Sequence, residues 1–177
     1  MNLVDALTNL LGDPSILRLE VSLGSRELPV RRLYGTRDFV EWLKERERAS
    51  EASKLGAETS IIEQIDTIFY RFIIGDSFHN RWDFRCIKVE KHPVWEFKTP
   101  DIRIFGWFPA KDCFIAAYGG WADYIKDHDL YRGYRLEIRR LRREMSLAQE
   151  LCGEGTTPDD VISNRSRGEI RDSRPFR

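Results

Sequence analysis

Between Val94 and Tyr118 the chain runs through three strand-length apolar segments, Val94 to Lys98, Ile102 to Phe108 and Cys113 to Tyr118. Only Pro100-Asp101 and Pro109-Ala110-Lys111-Asp112 separate them. Segments this short, rich in aromatic and β-branched residues and joined by turn formers, predict an antiparallel meander with hairpin connections.

The flanking sequence adds helices and two more strands. Leu3, Val4, Leu7, Leu10 and Leu11 recur at helical spacing until Gly12-Asp13-Pro14-Ser15 stops them. Leu17, Leu19, Val21 and Leu23 alternate with Arg18, Glu20 and Ser22, the period of a half-buried strand. A second strand is expected over Leu28 to Tyr34, where Pro29, lacking a ladder donor, belongs at a start or an edge. Thr36 reads as the N-cap of a helix with Phe39, Trp42 and Leu43 on its buried side and a solvated charged continuation from Glu45 to Lys54. Ser60 and Glu63 have capping-box spacing ahead of a helix whose Ile61, Ile65, Ile68 and Phe72 share one face. Residues 75–92 read as irregular with some strand content. A last helix is expected from about Leu130 to Glu150, with Tyr134, Ile138, Leu141, Met145 and Ala148 as its apolar stripe and Arg132, Arg135, Arg139 and Arg142 as a neighbouring basic one.

The expected class is therefore α+β: a twisted antiparallel sheet with two N-terminal helices and a C-terminal helix. Residues 1–27 form an accessory helix and strand, 28–150 the domain, and 151–177, poor in apolar residues, a disordered tail.

Charge and motif narrow the function. The 177 residues carry 29 Lys plus Arg against 29 Asp plus Glu, so no uniformly basic coat is available for nucleic acid. The balance is uneven, with a net −3 over residues 1–80 and +3 over residues 81–150. No apolar run is long enough to span a bilayer and no secretory signal opens the chain, so a cytoplasmic protein without membrane contact is expected. Cys86, Cys113 and Cys152 show no metal-knuckle or disulfide spacing and read as reduced, mostly buried thiols. His79, His92 and His128 match no metal-ligand template, and neither a phosphate-binding glycine loop nor a nucleophile elbow is present, so neither metal nor cofactor is expected.

What is left is a set of cations and hydroxyls around the meander: Lys88, Lys91, Lys98, Arg103, Lys126, His128, Tyr124 and Tyr131. Such groups suit phosphodiester chemistry. Cutting RNA without a metal requires a base for the 2′-hydroxyl, cations for the phosphorane-like transition state and an acid for the departing 5′-oxygen. Each residue also has a plainer reading. Arg103 shares a strand face with Phe105 and Trp107 and is either a phosphate ligand or a packing element stacked on rings. Lys98 is either a catalytic amine or an edge charge, and Lys126 and His128 sit among Asp123, Asp127 and Asp129, where surface pairing is the default. The helix arginines are either a solvated face or a surface for RNA or a partner.

The run Trp95-Glu96-Phe97-Lys98, then Arg103-Ile104-Phe105-Gly106-Trp107-Phe108, then Phe114-Ile115-Ala116-Ala117-Tyr118-Gly119 resembles the RelE/HigB-like toxin family, including its phage-derived branch. Residues 28–150 follow that family's order of elements, and residues 93–119 carry the motif. The resemblance implies a toxin of a toxin-antitoxin pair, a metal-independent endoribonuclease that cuts messenger RNA on translating ribosomes and is silenced by a cognate antitoxin. It implies Arg103 on the scissile phosphate and Lys98 as one of the catalytic lysines; the chemistry of the remaining groups adds Lys126 as an alternative base or electrostatic support and His128 or Tyr131 as acid. Lys88, Lys91, Arg135, Arg139 and Arg142 are the expected RNA contacts. Where the family commonly has a Lys-Lys or Lys-Arg pair after the last meander strand, this chain has Gly119-Gly120-Trp121-Ala122-Asp123. That departure keeps a second reading open, a non-catalytic protein-binding module on the same fold. A third is generic single-stranded RNA binding through Trp82, Trp107 and Trp121.

Overall fold

In the computed structural model, which describes residues 2–78 and 82–163, side-chain caps start the first three helices. Asn2 accepts from the Asp5 amide to cap α1 (Leu3–Leu11), Thr36 accepts from the Phe39 amide to cap α2 (Arg37–Ala49), and Ser60 and Glu63 form a reciprocal capping box on α3 (Ile61–Ile73). The strands are β1 (Ile16–Leu19), β2 (Arg32–Thr36), β3 (Phe84–Cys86), β4 (Trp95–Lys98), β5 (Ile102–Ala110) and β6 (Cys113–Trp121). Three further helices follow: α4 (Ala122–Asp127), α5 (Tyr131–Glu144) and α6 (Pro158–Val161), with a 3-10 turn at Gln149–Cys152 before the last.

All six strands join one sheet in the order β1-β2-β6-β5-β4-β3. The class is α+β, but the sheet is mixed, which corrects the expected antiparallel one. β2 runs parallel to β6, with Leu33 opposite Phe114, because α2, α3 and the meander stand between them and allow the chain to return in the same direction. The meander itself is antiparallel, and β1 joins β2 antiparallel at one edge.

Both faces are covered. On one, Phe39 of α2 and Ile61, Ile65, Ile68, Phe69 and Phe72 of α3 pack on Phe97, Ile104, Phe108 and Phe114. On the other, Leu10 of α1, Ile125 of α4 and Ile138 of α5 pack on Tyr34, Phe105, Trp107 and Ile115. This double coverage explains why β5 and the first half of β6 are buried almost without interruption. A bulge keeps the two faces in step: Phe105 faces Tyr118 but Gly106 faces Ala116, so Ala117 is the extra residue. A Cβ at Gly106 would lie 2.0 Å from the Ile115 carbonyl oxygen, which is why this strand position is glycine.

Other boundaries differ from expectation for local reasons. β2 begins at Arg32 because the amides of Val30 and Arg31 both donate to the Ile73 carbonyl at the end of α3, outside the ladder. α4 starts directly after β6, and α5 stops at Glu144. The disordered tail expected from residue 151 is corrected over residues 151–163: Leu151, Val161 and Ile162 are buried, and Asp112 accepts from the amide and hydroxyl of Ser163 at 2.7 and 2.6 Å. Residues 164–177 lie outside the described residues. The three cysteines are free, and burial pushes the Cys113 thiol up to about 11. No helix among the described residues is long and apolar enough to cross a membrane.

Candidate functional site

Strand pairing assembles the site. β4 and β5 place Lys98 opposite Arg103, which in turn faces Gly120 on β6; one row further along, Glu96 faces Phe105, and β3 sets Arg85 opposite Glu96. Because side chains alternate with period two, Arg85, Glu96, Lys98 and Arg103 all project on the face covered by α5. Glu96 is fully buried at the centre. Its Oε1 accepts from Arg85 Nε at 2.5 Å, and its Oε2 lies 3.8 Å from Arg103 Nε without a hydrogen bond. The buried acid is thus compensated from both sides, as a carboxylate in a low-dielectric interior requires.

Arg103 is 7% exposed. Its Nη1 donates to the carbonyls of Thr99 and Ile102 at 2.6 and 2.9 Å, which fixes the guanidinium to its own hairpin, while Nη2 makes no hydrogen bond among the described residues. Lys98 is half-buried beside it. Burial pushes the Lys98 ammonium below the ordinary lysine range; Glu96 opposes this, and the positive charges of Arg85 and Arg103 add to it. Both residues line a groove of about 630 Å³ between α3 and the β4–β5 hairpin, together with Arg71, Asp83 and the exposed ring of Trp82.

Aromatic residues of α5 close the other side. The Arg85 guanidinium lies 5.2 Å from the Tyr131 ring centroid, Tyr131 meets Phe105 edge-on at 6.1 Å, and Tyr134 stacks on Phe105 at 4.5 Å. The hairpin tip is anchored from below. Asp101 accepts from Ser53 Oγ, the amides of Lys54 and Leu55, and Gln64 Nε2, at 2.6 to 3.0 Å. Burial pushes its carboxyl up, but these hydrogen bonds outweigh burial and hold it below the usual carboxylate range. Gln64 Oε1 in turn accepts from Thr99 and from the Asp101 amide, so the turn carrying Arg103 has little freedom.

The structure thus sets Arg103 and Lys98 side by side on one groove, while Tyr131 meets their neighbours Arg85 and Phe105 and is not among the residues lining that groove. Lys126 and His128 are exposed at the end of α4; the His128 ring lies 4.1 Å from that of Tyr124, tilted by 31°, and its Nδ1 lies 2.9 Å from the Tyr124 carbonyl oxygen. Among the described residues neither contacts Glu96, Lys98 or Arg103. Lys88 and Lys91 are exposed near the opposite end of β4. Arg135 is buried and paired with Glu90 at 2.8 Å, Arg139 reaches the same oxygen at 3.5 Å, and Arg142 is buried against the carbonyls of Cys152 and His92. The basic stripe on α5 therefore turns partly inward, towards the β3–β4 loop. Sequence reasoning missed two members of the site. Glu96 stands between Trp95 and Phe97 in a strand, a position that signals a buried acid in need of a partner; Arg85, in the irregular stretch, carried no signal before the β3–β4 register was known.

Among the described residues no group of three or more His, Cys, Asp and Glu side chains comes together. No family model, curated protein or solved structure matches the chain.

Proposed function

We propose that the chain is a RelE/HigB-like ribonuclease, the toxin of a toxin-antitoxin pair, which cuts messenger RNA on translating ribosomes in the cytoplasm. The observation that carries the reading is the convergence of Arg85, Lys98 and Arg103 around buried Glu96, with Tyr131 against Arg85. The element order from β2 through two helices, a meander and α5 supports it as well.

In the proposed reaction the neutral amine of Lys98 takes the 2′-hydroxyl proton. Its depressed basicity makes that form accessible nearer neutral pH. The 2′-oxygen attacks the adjacent phosphorus while Arg103, through Nη2, and Arg85 hold the charge that gathers on the equatorial oxygens. The bond to the 5′-oxygen breaks, that oxygen takes the proton of the Tyr131 hydroxyl, and the products are a 2′,3′-cyclic phosphate and a free 5′-hydroxyl. Glu96 touches no substrate; it positions both arginines.

Cleavage of a translated message by the wild type, Arg103→Ala and Tyr131→Phe tests the assignment. Loss of one preorganised cation should slow cutting about 10²- to 10³-fold, and loss of the acid about 10²-fold or more. Equal cutting by all three proteins removes this cluster from the mechanism. A second reading, a non-catalytic protein-binding module, is favoured by one observation: Arg103 is already bound to its own hairpin carbonyls and scarcely exposed. Expression that arrests growth, relieved by a gene encoded next to this one, supports the toxin; harmless expression and intact message support the module.

A further inference from the structure

Towards the other end of β4, the loop residues Glu90 to His92 and the C-terminal half of α5 wall a second cavity, of about 410 Å³. Arg142 lies against it, 4% exposed, with Nη1 donating to the Cys152 carbonyl at 3.2 Å and Nη2 to the His92 carbonyl at 3.0 Å. Lys91, Arg139 and Arg143 also line it and are exposed. The nearby acids are partly engaged. Glu90 Oε2 faces Arg135 and Arg139 while its Oε1 is buried without a hydrogen-bond partner among the described residues, and Glu154 stands 3.9 Å from Lys91. Among the described residues Arg142 and Arg143 have no carboxylate within ion-pair distance. Arg142 is withdrawn from water onto neutral carbonyls and the Trp107 ring, 5.9 Å away, with Glu90 beyond ion-pair distance, so its charge is only partly compensated and a bound anion would complete the compensation.

His92 supplies a second, independent pointer. Its Nδ1 lies 3.0 Å from the Gly153 carbonyl oxygen, the geometry of N–H donation, and its Nε2 is buried without a hydrogen-bond partner. That nitrogen accepts from a ligand hydroxyl when the ring is neutral and donates to a ligand oxygen when it is protonated. We infer that this cavity is an anion site for a phosphoryl group, carried either by a free phosphate or by the backbone of RNA. Arg139, Arg142 and Arg143 share one face of α5, and Lys91 faces them from the loop, so cations from two elements suit a tetrahedral anion whose oxygens each take charge-assisted hydrogen bonds. The site is separate from the hairpin groove: Tyr131 and Arg142 are eleven residues apart on α5, about 16 Å along the helix axis. It stands whether or not the hairpin cluster is a ribonuclease.

Calorimetric titration of inorganic phosphate and pyrophosphate into the full chain tests it, beside Arg139→Ala/Arg143→Ala, whose two exposed side chains can be removed without opening the core. The expected result is saturable binding at this cavity, about tenfold or more weaker in the double variant and unchanged by Arg18→Ala, an exposed arginine on β1. At an anion concentration one hundred times the dissociation constant, the wild-type melting temperature should rise by about 5–10 °C. A labelled single-stranded RNA separates the sources. Displacement of the RNA by pyrophosphate in the wild type, absent in the double variant, assigns the site to the RNA backbone; anion binding with RNA undisturbed assigns it to a free phosphate. No saturable binding of either ion, or equal binding by the double variant, overturns the inference and leaves the hairpin assignment to its own test.

Discussion

Replacing Glu96 with glutamine removes the one negative charge between Arg85 and Arg103 while keeping the shape of the side chain. At an effective dielectric of 20, the 3.8 Å separation between Glu96 Oε2 and Arg103 Nε corresponds to about 4 kcal/mol of attraction. Neutralising the carboxylate recovers its own desolvation cost but leaves that of buried Arg103, so part of that attraction appears as lost stability. Arg85 contributes less, since its side chain is 46% exposed and water screens it. Allowing for the hydrogen bond that the amide oxygen of glutamine can still accept, Glu96→Gln should cost about 2–4 kcal/mol. For a chain of this size that is a fall in Tm of roughly 4–16 °C. Urea unfolding followed by circular dichroism measures it, and a cycle with Arg85→Met should return a coupling smaller than the single cost. Stability within about 0.5 kcal/mol of the wild type would refute the claim that Glu96 is the electrostatic centre of the site.

Further outcomes are expected at three residues. Asp101→Asn should destabilise the protein by about 2–4 kcal/mol, because an amide cannot accept all four of the hydrogen bonds that Asp101 receives. The native pKa of Asp101 is lowered, so its contribution is fully present above the unfolded carboxyl value and is lost as pH falls through the native one; wild-type stability should therefore drop more steeply than that of the variant below about pH 4. Gly106→Ala should cost about 2 kcal/mol or more, read by thermal unfolding, since the new methyl would overlap the Ile115 carbonyl and the bulge cannot relax without breaking the β5–β6 register. If Lys98 is the base, the cleavage rate should rise with pH through a lysine value below 10.5, and Lys98→Arg should abolish that limb of the profile.

Local chemistry made much of the fold legible. Thr36, Ser60 and Glu63 announced α2 and α3 because caps act within four residues, and the meander showed itself through alternation and proline-bearing turns. The alternation also placed Arg103 on the same face as Phe105 and Trp107. What stayed hidden depends on partners far along the chain. The parallel β2–β6 pairing joins residues about eighty positions apart, and no local pattern distinguishes it from an antiparallel edge. α4 is short and begins without a side-chain cap at Trp121, so it left no start signal. The chain to Ser163 looked like tail because only Val161 and Ile162 among its last described residues are strongly apolar, yet both insert into the core and Asp112 holds the end in place. On α5 the basic stripe was visible, but its direction was not: Arg135 and Arg142 are buried by Glu90 and by the carbonyls of the loops beside them.

The most direct measurement of the central claim is the chemistry of RNA ends produced on translating ribosomes. In a reconstituted translation reaction the wild-type chain should leave upstream fragments ending in 2′,3′-cyclic phosphate, at a rate that Arg103→Ala lowers about 10²- to 10³-fold. Intact message, or the same fragments at the same rate from Arg103→Ala, contradicts the assignment of the Arg85–Glu96–Lys98–Arg103 row to phosphodiester cleavage.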